Sequence, residues 1–131
     1  MVRKFITTLT FIILPIFIVL AQDIHVSNYN VLYRYDKNLN RVEVATFEVS
    51  TTLTVDVDSK KLVIISGDST DSFAILSAEE FQLESGAIYK YEIADEHGKI
   101  RRLEINTQKK IFIVKPEEIK VGETSRKYIV Y

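Results

Sequence analysis

Two histidines, His25 and His97, eighteen acidic residues and seven tyrosines are the groups of this chain that could do chemistry; there is no cysteine. Asp95, Glu96 and His97 could offer oxygen and nitrogen ligands to a metal. Adjacent turn residues converge poorly on one point, and structural zinc sites need four spaced ligands, so the run Asp95-Glu96-His97-Gly98 reads as a solvated turn and no metal site is expected. Nucleophilic catalysis lacks its parts: no cysteine, no Gly-x-Ser-x-Gly elbow, and no histidine placed to activate a serine. His25 lies just past an apolar N-terminal run, where chain ends tend to fray. Paired carboxylates suffice for a glycosidase, but among eighteen acids some pair always meets the required separation. The oxygen-bearing Asp68-Ser69-Thr70-Asp71 lacks the spacing of a calcium loop. No glycine-rich phosphate cradle is present, no cofactor is implied, and no catalytic residue is assigned.

The tyrosines carry the clearer signal. All seven lie beyond residue 21, and four form pairs two residues apart: Tyr33 with Tyr35, and Tyr89 with Tyr91. On a strand such spacing puts both rings of a pair on one face. Each pair shares that face with aliphatic residues, Val31 in one case, Ala87 and Ile93 in the other. Amphipathic rings with a polar tip suit a ligand-lining surface, and these four are the expected ligand-binding residues. Tyrosine is also a good strand former, so the alternative is that both pairs simply fill a core.

The elements that must position them follow from period-two alternation, the mark of strands with one buried face. Ala45, Phe47, Val49, Thr51, Leu53, Val55 and Val57 alternate with polar residues as one long stretch. Val42 and Val44 have the opposite phase, which predicts a β-bulge or bend near Val44-Ala45. Residues 36–40 read as a hairpin loop. Leu62-Val63-Ile64-Ile65 is a continuous apolar run suited to a strand covered on both faces. Residues 66–72 read as a polar loop, Phe73–Leu76 as a short strand, and Ser77–Gly86 as more strand than helix. Strands at 87–93, 100–106 and 111–114 follow, then one helical turn before Gly122 and a closing strand at Tyr128–Tyr131. Asp58–Ile65 and Thr107–Val114 echo each other, as two hairpins built from a polar turn, paired lysines and β-branched residues would. The expected fold is all-β: one antiparallel meander of about 7–9 short strands. A small barrel fits better than a two-sheet sandwich, because sequential hairpins suit up-and-down closure.

The first 21 residues stand apart. Arg3 and Lys4 precede an uncharged run from Phe5 to Gln22 that ends in Val19-Leu20-Ala21. A basic start, an apolar middle and a small-residue exit are the parts of a secretory signal peptide. Residues 1–21 are therefore expected to be cleaved and 22–131 to form a single small β domain, exported to a periplasm or secreted. Membrane attachment is expected only if the leader is retained. The 17 basic residues, two of them in the leader, are interspersed among 18 acidic ones, and no basic stripe suited to nucleic acid appears. The expected function is a non-enzymatic exported binding module whose tyrosine-bearing face takes a small apolar or aromatic ligand. The alternatives are a structural or protein-interaction component of the cell envelope and, third, a carboxylate-based hydrolase.

Overall fold

Alternating apolar and polar residues build nine strands in the computed structural model, which describes residues 22–130. The expected leader lies outside the described residues. In chain order the strands are β1 (Gln22–Tyr35), β2 (Arg41–Phe47), β3 (Thr51–Asp56), β4 (Lys61–Ser66), β5 (Ser69–Gln82), β6 (Ala87–Ala94), β7 (Ile100–Asn106), β8 (Ile111–Pro116) and β9 (Thr124–Val130). Every pairing is antiparallel, and no helix occurs among the described residues.

Strands β1, β3, β4, β5, β6, β7, β8 and β9 follow one another around a ring, and β9 pairs back with β1 to close an eight-stranded barrel. The length of β1 makes room for the ninth strand. One edge of β1 carries β9 from Ser27 to Arg34; the other carries β3 from Gln22 to Ser27 and β2 from Asn30 to Tyr35. Closure removes the exposed edges that an open sheet of this length would leave. Among the described strands, β2 alone stands outside the ring. The bulge expected near Val44 is present: Leu32 pairs with Ala45 and Tyr33 with Glu43, so Val44 is the extra residue.

An eight-stranded barrel is just wide enough for its side chains to fill it or for one small ligand. Here the waist is filled. Leu53, Val55, Leu62, Ile93 and Phe112 have no exposed surface, and Leu103 and Ile105 almost none. The Phe112 ring stacks on Tyr128 at 4.5 Å between centroids.

Several expectations are corrected. His25 is not in a frayed end: β1 already begins at Gln22, and His25 pairs with Leu53 of β3. The stretch 45–57 is broken at residues 48–50, where the chain leaves β2 and enters the barrel as β3. Strand β4 is covered on one face only, because the barrel is a single layer; Leu62 and Ile64 are buried while Ile65 is exposed. The loop at 66–72 shrinks to a turn around Gly67, whose φ of +59° lets β5 start at Ser69. Phe73–Leu76 is not a separate short strand: with residues 77–82, which are strand as expected, it belongs to one 14-residue strand, and residues 83–86 connect it to β6. No helical turn precedes Gly122. The echoing hairpins do share a turn: Lys60 and Lys110 both have φ of 57°, and the Asp56 and Asn106 side chains each accept from the N–H three residues on.

Candidate functional site

Above the waist the interior changes character. The upper end of the barrel carries the β4–β5, β6–β7 and β8–β9 connections, and the inward rows of three strands carry a charge there. On β5 the row is Asp71, Phe73, Ile75; on β7 it is Arg101, Leu103, Ile105; on β9 it is Arg126, Tyr128, Val130. Cross-strand partners share a face, and the register ties these rows together through β8: Arg101 pairs with Pro116, Leu103 with Val114, and Val114 with Arg126. Together with Leu32 and Ile64 the upper residues line a cavity of about 440 Å³.

Arg126 is held in place. Its Nη1 donates to Oδ1 of Asn30, 2.7 Å away, and its Cζ lies 5.0 Å from the centroid of Phe47 on the outlying strand β2. Asn30 is almost fully buried. Burial pushes the Tyr128 phenol above its ordinary value; Arg126 opposes that shift and Asp71 adds to it. Both charges therefore act on the same hydroxyl. Ion pairs among the described residues join His97 to Glu96, Lys115 to Glu104 and Lys120 to Glu118, and none includes Arg101, Arg126 or Asp71.

The rim is formed by Asp95, Glu96 and His97. One Asp95 oxygen accepts from the N–H groups of His97 and Lys99, each at 2.9 Å. These bonds, Lys99's first, hold its carboxyl below the ordinary carboxylate value. Gly98 completes the turn with φ of +79°. His97 and Glu96 face solvent, 3.5 Å apart.

The four tyrosines singled out from the sequence do not meet. Tyr33 and Tyr35 lie on the opposite face of β1 from Asn30 and Leu32. Arg41 and Lys127 cover the Tyr33 ring at 4.3 and 5.7 Å. Tyr89 and Tyr91 do point inwards, with Ala87 and Ile93, but towards the lower end. Tyr91 is buried against the waist, in register with Leu103, and borders a surface groove of about 170 Å³. Burial pushes its phenol up, and Asp23, Tyr89 and Glu80 push it further. His25 is inside the barrel, 6.5 Å from the Phe112 ring, with Nε2 buried and without a hydrogen-bond partner among the described residues. Burial lowers its pKa, and Asp23 works against that.

Arg101, Arg126, Asp71, Phe73 and Tyr128 were not singled out from the sequence. A detectable signal existed: each lies on an alternating row whose apolar residues are interrupted, or ended, by a charge at the same end of the barrel. No family model, curated protein or solved structure matches the chain.

Proposed function

We propose that this chain is an exported, non-enzymatic binding module whose upper cavity takes a small ligand with an apolar or aromatic body. The observation that carries this reading is the contrast inside one closed barrel: a waist with no exposed surface, and above it a cavity of about 440 Å³ floored by Tyr128 and flanked by Phe73. That volume falls in the ordinary range for small-molecule sites, roughly 300–1,000 Å³. The absence of catalysis is inferred from the scatter of proton-transfer groups, with His25 beside Phe112 in the interior and His97 on an exposed turn. The basic start, apolar run and Ala21 exit of the N-terminal segment support export.

Native mass spectrometry on the protein recovered from its own cells tests this reading. A polypeptide mass beginning at Gln22, carrying an extra mass released on denaturation, is expected. A bare chain at every protein concentration would contradict the binding role, and a full-length mass would contradict cleavage.

One observation favours a second reading, an interaction protein of the cell envelope. The outer edge of β2 has no ladder partner among the described residues, and Val42 and Val44 are half exposed there. Free edges are ready templates for another strand. Photo-cross-linking from position Val42 that captures one defined envelope protein, on a barrel carrying no ligand mass, would move the assignment to this reading.

A further inference from the structure

The upper cavity holds two arginines, neither of which makes an ion pair with another described residue. Arg126 and Arg101 sit on the inward faces of β9 and β7, separated only by β8. Two strand spacings, about 10 Å across, lie within the combined reach of two arginine side chains. Neither guanidinium has a carboxylate partner among the described residues. Both are half-buried, where an unpaired charge costs more than it would in water. Arg126 spends one donor on Asn30, and a guanidinium has five.

Three acids share the cavity, Asp71, Asp95 and Glu96, and none lies within ion-pair distance of either arginine. Asp95 accepts from the turn's N–H groups and also feels the Arg101 charge, and Glu96 stands at the exposed rim against His97. Asp71 remains. It lies on β5, four strands from β9 in either direction around the ring, and so across the barrel from Arg126. The cavity thus carries guanidiniums on β7 and β9 and a carboxylate on β5, with Asp95 and Glu96 at the β6–β7 rim and Tyr128 and Phe73 in its lining.

Resting on the reading of this cavity as a ligand site, we propose that its ligand is an organic monoanion. Its acid group, a carboxylate or sulfonate, is held between Arg126 and Arg101, and its aromatic or apolar body lies against Tyr128 and Phe73. Asn30 and Phe47 keep Arg126 in position before the ligand arrives, which lowers the ordering cost of binding. Asp71 on the far wall repels a second negative charge, which selects monoanions over dianions.

Two dyes with the same ring system separate this inference from the reading beneath it. Anilinonaphthalene sulfonate is a monoanion, and N-phenyl-1-naphthylamine is its neutral counterpart. Fluorescence titration of the folded protein is expected to show the anion binding about tenfold more tightly, the scale of one charge-assisted hydrogen bond. Arg126→Gln and Arg101→Gln are each expected to reduce that anion-to-neutral affinity ratio about threefold. Arg126→Gln could disturb folding by leaving Asn30 unpaired, so Arg101→Gln, with no hydrogen bond to another described side chain, carries the test independently. Saturable binding of both dyes with equal affinity, and a ratio unmoved by either variant, would overturn the monoanion and leave the cavity reading standing. Failure of both dyes to bind would overturn both.

Discussion

The waist and the upper mouth of this barrel are built from the same strands, yet they do opposite things. At the waist the inward positions of β3, β4, β6, β7 and β8 are Leu53, Val55, Leu62, Ile93, Leu103 and Phe112, all buried within 1 %. Each contributes about 1.5–3 kcal/mol through burial. One step higher, the rows of β5, β7 and β9 turn to Asp71, Arg101 and Arg126, and packing gives way to a cavity. Alternation decides which face of a strand points inwards. The residue type at the end of that inward row decides whether the interior is core or site.

The glycines repeat the contrast. A side chain at Gly86, at the lower end, would meet Thr107 Oγ1 at 2.6 Å and the Gln108 backbone nitrogen at 2.9 Å. At Gly98 and Gly122, in the upper connections, nothing lies within 4 Å. The β5–β6 and β7–β8 turns pack on each other at the lower end, whereas Gly98 and Gly122 face open space; Gly67, in the β4–β5 turn, lies in ordinary contact with Val49.

The largest test of this contrast is Phe112→Ala. Removing the ring from a filled waist is expected to destabilise the fold by about 3–5 kcal/mol, a large part of the roughly 5–15 kcal/mol a domain has. Urea unfolding reads it directly, and a loss below about 1 kcal/mol would mean that the waist is not close-packed. Next comes Gly86→Ala, expected to cost about 1–3 kcal/mol because the backbone of 107–108 must move. An unchanged midpoint would show that the lower turns are looser than described.

The third test is acid. Burial depresses the pKa of His25 below its ordinary 6.5, so the unfolded chain takes up this proton before the folded one. Stability contributed by neutral His25 is complete above pH 6.5 and falls as the pH drops towards the folded-state value. His25→Gln is expected to flatten that part of the stability profile; an unaltered slope would show that the imidazole is solvated rather than part of the interior. The smallest effect belongs to Asp71→Asn. It should change stability by less than about 0.5 kcal/mol while tightening anionic dye binding severalfold, because the repelling wall is neutralised. Weaker binding of the anion would show that Asp71 supports the ligand instead of opposing its charge.

Most of the architecture was legible because its signals are local. The phase switch at Val44-Ala45 became the bulge opposite Leu32-Tyr33, and the hairpin turns at 57–60 and 107–110 lie where polar residues interrupt apolar runs. Closure was less accessible: it depends on β1 pairing with three strands, two of them near in sequence and β9 some hundred residues away. The site was harder still. Tyr33 and Tyr35 share a face as their spacing requires, but spacing does not say which face lines the barrel, and the Ser27–Tyr29 register shift resets that choice within β1. Arg101 and Arg126 looked like ordinary strand charges, because their meeting across β8 depends on the register of two ladders rather than on neighbours in sequence.

Where a ligand binds decides between the upper and the lower end of the barrel. Amide chemical-shift mapping by heteronuclear NMR, during titration with anilinonaphthalene sulfonate, addresses this directly. Saturable shifts are expected at Ile64, Phe73, Arg101, Val114, Arg126 and Tyr128, with Tyr89 and Tyr91 little changed. Shifts centred on Tyr89, Tyr91 and Glu80, with the upper residues silent, would contradict the account and place the site at the lower end of the barrel.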